Sequence, residues 1–142
     1  MIAIDTNLLV YAHRRRTPQH GRARKAIERA AADARGWGLA VAVLPEFWSV
    51  VTHPSSVGKP STPDQAATFV QALVDAGAMV WLPGPGFGER LLQVAADLAV
   101  SGPRVFDLQI ALTAFEGGAT ELWTHDAAFV SVPGLRLVDP LA

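Results

Sequence analysis

Cysteine is absent from this chain, which excludes disulfides, thiolate metal sites and cysteine nucleophiles. A long hydrophobic run is missing too. The longest candidate, residues 37–51, is cut by Pro45 and Glu46 and falls short of the roughly 18 to 20 apolar residues of a membrane-spanning helix. No basic region precedes the apolar start and Asp5 interrupts it, so no secretory signal is expected. Overall charge is nearly balanced at -1 over 142 residues, half of them hydrophobic, and intrinsic disorder is excluded by that composition. The expectation is a single domain over 1–142, cytoplasmic, without a membrane partner, burying about two-thirds of its unfolded surface.

Against these absences stand four carboxylates, each beside or inside an apolar stretch. Asp5 closes Met1-Ile2-Ala3-Ile4, and Glu46 follows the strand-like residues 39–43. Asp107 heads an apolar segment reaching Phe115, and Asp126 follows residues 121–124. An ionised carboxylate next to a core is costly unless something pairs with it.

Short strand-like runs alternate with helical ones. Strands are expected at 1–5, 37–43, 79–82, 121–124 and 135–138. Helices are expected at 6–13, 18–35, 45–53, 62–77, 89–101 and 107–116, with a single helical turn at 126–129. Thr62-Pro63-Asp64-Gln65 has the makings of a capping box, with proline in the first turn. Residues 54–61 and 83–88 read as loops. The run Gly84-Pro85-Gly86-Phe87-Gly88 lacks the lysine and spacing of a phosphate loop and reads as a connector. Five strands separated by helices give an α/β fold: a mostly parallel sheet with helices on both faces. Right-handed crossovers then bring every strand-to-helix turn to the carboxyl edge of the sheet.

Each acid has a plain structural reading, because aspartate caps helices and first-turn acids gain roughly 0.3 to 1 kcal/mol from the helix dipole. Two features favour chemistry. Asp107 shares a helix face with Ile110, Ala111 and Ala114 by three-four spacing, and Asp5, Glu46 and Asp126 all fall at one sheet edge. Two unit charges about 4 Å apart repel by roughly 4 kcal/mol at an effective dielectric near 20. A hard divalent cation such as Mg²⁺ or Mn²⁺ offsets that repulsion through all-oxygen ligation. Zinc suits the chain less well, since no histidine pair has ligand spacing.

The charge is also uneven. Arg14, Arg15, Arg16, Arg22, Arg24, Lys25, Arg29 and Arg35 face only Glu28 and Asp33, giving +6 between residues 13 and 35 and -7 elsewhere. That segment is either a solvated helical face or a phosphate-binding patch. A carboxylate cluster beside it points to phosphodiester hydrolysis. Of the histidines, His125 adjoins Asp126, His13 and His20 flank the basic segment, and His53 ends a helix. The four tryptophans sit in apolar runs and read mainly as core or interface.

Ile4-Asp5-Thr6-Asn7, Pro45-Glu46-Phe47, Phe106-Asp107-Leu108-Gln109-Ile110-Ala111 and Thr124-His125-Asp126-Ala127-Ala128-Phe129 resemble, in order and spacing, the signature of PIN-domain nucleases. In length and start the chain is similar to the VapC ribonuclease toxins of bacterial toxin–antitoxin pairs. The resemblance implies a Rossmann-like α/β/α sandwich and Mg²⁺- or Mn²⁺-dependent endoribonuclease activity. It also implies a protein antitoxin that blocks the site, and a homodimer. It places Asp5, Glu46, Asp107 and Asp126 in the acidic metal site, with Thr6, Asn7 and Thr124 in support. The RNA backbone would lie on the basic segment, with Arg14, Arg15, Arg16, Arg22, Arg24 and Lys25 as candidates. Many relatives carry a second acid two residues after the fourth, where this chain has Ala128, which puts a second metal in doubt. Two other functions fit the same acids and basic segment: a small-molecule phosphohydrolase, and a catalytically silent RNA- or protein-binding module.

Overall fold

The computed structural model describes residues 1–56 and 58–142. The described residues form β1 (Ile2–Ile4), α1 (Thr6–His13), α2 (His20–Ala32), β2 (Trp37–Ala40), α3 (Val43–Thr52) and α4 (Pro63–Asp75). They continue as β3 (Met79–Trp81), α5 (Phe87–Asp97), α6 (Arg104–Glu116), β4 (Glu121–Trp123) and β5 (Arg136–Val138). All four strand pairings are parallel, in the order β3-β2-β1-β4-β5. The chain therefore builds outward from β1 to β3, returns to the other side of β1, and continues to β5. With right-handed crossovers, that reversal puts helices on both faces. Accordingly α1 packs on α2 and α3, and α3 on α4, while α5 packs on α6.

Ile2, Ile4, Leu39 and Leu122 in the strands are completely buried, as are Leu8, Leu9, Phe47 and Leu108 in the helices. Each such side chain stabilises the fold by about 1.5 to 3 kcal/mol. Strands buried on both faces read as continuous apolar runs, which is why these short segments stand out in the sequence. Gly38 is required in β2: a Cβ there would lie 2.6 Å from the Met79 carbonyl oxygen. Among the tryptophans, Trp37, Trp81 and Trp123 are buried and Trp48 is exposed.

The elements match the expected fold, with differences at their ends. The capping box of α4 forms as expected, Thr62 and Gln65 bonding reciprocally at 3.1 and 2.9 Å. Helix α3 begins before Pro45, which costs nothing in a first turn because its missing N–H would be unpaired anyway. Helix α6 begins at Arg104, three residues earlier than expected, which moves Asp107 from a cap into the first turn. Residues 126–129 make a turn instead of helix; Asp126 Oδ1 accepts from Ala128 N at 2.9 Å. Of the expected 54–61 loop, Val57 lies outside the described residues. Among the described residues, no helix is long and apolar enough to cross a membrane.

Candidate active site

Asp5 stands where β1 ends and α1 begins. It is the α1 N-cap, accepting from Thr6 N at 2.7 Å through Oδ1. Its Oδ2 accepts from the Thr124 hydroxyl at 2.7 Å, just past the end of β4. Thr124 Oγ1 in turn accepts from Asn7 Nδ2 and Asp126 N, both at 3.1 Å. Asn7 Oδ1 accepts from His125 N at 3.3 Å. Strands β1 and β4 flank the point where strand order reverses, the place where open α/β sheets bind ligands. Thr6, Asn7 and Thr124 thus tie the two sides of that crevice around Asp5.

Asp5 is only 6% exposed, and its carboxyl is pushed up to about 6. Burial is the main cause, and the negative charges of Glu46 and Asp107 add to it. The bonds from Thr124 and Thr6 pull the other way without prevailing. Two of the other acids, Glu46 and Asp107, therefore act on Asp5. Glu46 lies in the first turn of α3 and lines a cavity of about 470 Å³ with Pro45, Phe106, Gln109 and Ile110. Asp107 and Asp126 meet through Arg104, whose Nη1 lies 2.9 Å from Asp107 Oδ2 and 2.8 Å from Asp126 Oδ2. That guanidinium holds the Asp126 carboxyl below the usual range. Arg104 does not figure in the sequence reading. Its only signal is the three-residue spacing to Asp107, legible once both are placed on one helix.

The donor set suits a hard divalent cation in kind: all oxygen, with a buried carboxylate raised mainly by burial and further by like charge. Thr6 Oγ1 is buried beside Asp5 with no hydrogen-bond partner among the described residues. Among the same residues, no three acidic or histidine side chains are close enough together to ligate one ion. The chemistry fits; the ligating arrangement is not drawn together.

The basic segment divides by contact. Arg14 is committed internally, Nη2 donating to Val51 O and Ser56 Oγ and Nη1 to Lys59 O. Arg22 donates to Leu141 O, and Arg29 lies over the Trp123 ring at 5.6 Å. Arg24 pairs loosely with Glu28 at 3.6 Å. Arg15 and Arg16 are exposed in the turn after α1, and Lys25 is exposed on α2. Two hollows, of about 740 and 660 Å³, lie along this segment. Arg15 lines both; Arg24 and His20 line the first, Arg16 and Lys59 the second. His125 turns to Asp139, 2.9 Å away.

A family model for the PIN domain matches residues 2–135. Ribonuclease VapC43 of Mycobacterium tuberculosis is 36% identical over 142 residues, covering 99% of this chain and 96% of the relative. Ribonuclease VapC48 of the same species is 28% identical, covering 97% and 96%. Among solved structures, VapC20 of Mycobacterium tuberculosis superposes with a TM-score of 0.68 at 14% identity, over 93% of this chain and 98% of that one. VapBC2 from Rickettsia felis, bound to a promoter DNA fragment, gives 0.68 at 19% identity, over 97% and 98%. The family match, the sequence identity and the end-to-end coverage agree: the chain belongs to the PIN-domain family and, within it, to the VapC ribonucleases.

Proposed function

We propose that the protein is a divalent-metal-dependent endoribonuclease, the toxin of a toxin–antitoxin pair, that hydrolyses RNA phosphodiester bonds at the crevice beside Asp5. The observation that carries this reading is Asp5 itself. A carboxyl at the carboxyl edge of a parallel sheet, raised mainly by burial and further by two other acids, is an arrangement a cation would relieve. Its kinship with ribonucleases over the whole chain supports the same reaction.

In this reading Asp5, Glu46, Asp107 and Asp126 hold the ion, Mg²⁺ or Mn²⁺. When bound, it supplies positive charge at the phosphate and acidifies water. The Thr124 hydroxyl and Thr6 N–H fix the Asp5 carboxylate by bonding both oxygens. Asn7 holds the β4 end in register by bonding Thr124 and His125 N. Arg15, Arg16 and Lys25 offer cations to the RNA backbone, an interaction that salt weakens. They begin at the far end of α1, roughly 12 Å from Asp5 at 1.5 Å per helical residue. A cognate antitoxin, a second copy of the chain and a cytoplasmic setting complete the proposal.

The test is cleavage of total RNA with Mg²⁺ or Mn²⁺ by the wild type, Asp5→Asn and Asp107→Asn. Activity in the wild type alone is expected. Equal activity in all three would remove the acids from the mechanism, and hydrolysis of simple phosphate esters without RNA cutting would favour a phosphohydrolase.

A further inference from the structure

Arg104 makes an ion pair of a different kind from the two-nitrogen arginine–carboxylate pairs elsewhere in the chain. Arg90 grips Glu116 with two nitrogens, Nε at 2.6 Å and Nη2 at 2.7 Å. Arg35 grips Asp33 the same way, with Nε at 3.0 Å and Nη2 at 2.9 Å. These are the paired-fork bonds that suit a guanidinium. Arg104 instead offers one nitrogen, Nη1, to two different carboxylates. Its Nε and Nη2 bond no group among the described residues, and the side chain is 42% exposed.

Helix chemistry does not ask for this residue. Arg104 opens α6, where the dipole disfavours a positive charge. Nor does Asp107 need it as a cap, since Val130 N already reaches its Oδ2 at 3.3 Å. What Arg104 does is occupy, with a cation, one oxygen on each of two acids. A divalent ion drawing on Asp107 and Asp126 would compete for those same oxygens. Residues 127 and 128 are both alanine, so the Asp126 turn offers no spare acid to share the load.

We propose that Arg104 is an exchangeable counter-cation of the acidic crevice. It neutralises Asp107 and Asp126 in the metal-free protein, yields them when a divalent ion enters, and then presents its guanidinium to the RNA phosphate. The exchange rests on the metal-dependent reading above. It gives the released fork a target matched to its geometry.

The experiment is calorimetric titration of Mn²⁺ into the full chain without RNA, comparing the wild type, Arg104→Gln and Arg104→Lys. Removing the competing charge should tighten Mn²⁺ binding roughly tenfold in Arg104→Gln, with Arg104→Lys nearer the wild type. The Arg104 Nε–H resonance should shift when Mg²⁺ is added to the wild type. In RNA cleavage, Arg104→Gln should raise KM by more than it lowers kcat. Mn²⁺ binding no tighter in Arg104→Gln than in the wild type overturns the exchange, and an unchanged KM overturns the phosphate contact. If the wild type itself binds no Mn²⁺ at millimolar concentration, the metal-dependent reading fails first and takes the exchange with it.

Discussion

The Thr124 hydroxyl donates to Asp5 Oδ2 at 2.7 Å across 119 positions of the chain. The same oxygen accepts from Asn7 and from Asp126 N, so one hydroxyl serves three neighbours. Replacing it leaves buried polar groups unpaired, at about 1 to 3 kcal/mol. Thr124→Val should therefore destabilise the metal-free protein by that amount in urea denaturation, with the Asp5 carboxyl rising further. Thr124→Ser should recover most of the loss, because the hydroxyl and not the methyl makes the bonds. Equal losses in both variants would point to packing instead.

Asp5 gives stability an unusual slope with pH. Its folded value is about 6 against 3.8 for the free side chain. The folded state thus binds the proton more tightly, and ionised Asp5 opposes folding above pH 6. That penalty fades as pH falls from about 6 towards 3.8. Between pH 7.5 and 5 the site should add about 1.4 kcal/mol of stability, one decade of proton affinity. His13, held below its usual value mainly by burial, works against this in the same range as it gains a proton. The clean measurement is the wild-type minus Asp5→Asn difference in EDTA, across pH 5 to 7.5. A flat difference would mean that Asp5 is not raised.

Arg14 and its neighbours should separate stability from RNA affinity. Arg14 clasps the end of α3 through Val51 O and the segment after it through Ser56 Oγ and Lys59 O. Arg14→Ala should cost about 1 to 2 kcal/mol and speed amide exchange in that segment. Arg15→Ala and Arg16→Ala should leave stability within about 0.5 kcal/mol. Each should lower the salt slope of RNA binding by about one. If Arg15→Ala and Arg16→Ala leave that slope unchanged, the RNA path lies elsewhere.

Glu121 predicts the opposite pH behaviour to Asp5. It is 7% exposed on β4 and accepts from Trp123 Nε1 at 2.9 Å, from Arg35 at 3.1 Å and from Arg136. The Trp123 bond is the largest cause holding its carboxyl down to about 2, with the two arginines adding to it. A lowered carboxyl stabilises the fold above the ordinary value of 4.5 and loses that contribution as pH falls towards 2. Glu121→Gln should cost about 1 to 2 kcal/mol at pH 7. The deficit should shrink in acid, as thermal melts at pH 7 and pH 3 would show.

How much of this was legible in the sequence follows from range. The inner strands β1, β2 and β4 were readable because each is a short run buried along its length, and α4 because its cap is written in four consecutive residues. The starts of α3 and α6 were not, because Pro45 reads as the first helical residue although α3 begins at Val43, and Gly102-Pro103 reads as a stop although α6 begins directly after it. The four acids were picked out by position at strand and helix ends. Arg104 escaped because its significance depends on Asp126, 22 positions away, and no local pattern carries that pairing. The basic segment misled in part: counting charges could not show that Arg14, Arg22 and Arg29 spend their donors or faces on the protein itself.

The pairing of β1 with β4 has a consequence in time. Asp5 precedes Thr124 by 119 positions, and Thr124 and the neighbouring Asp126 complete its surroundings. An amino-terminal fragment that ends before β4 therefore holds the first acid without these counterparts. For a protein proposed as a toxin, the order of strands means that the crevice cannot assemble until β4 has been made.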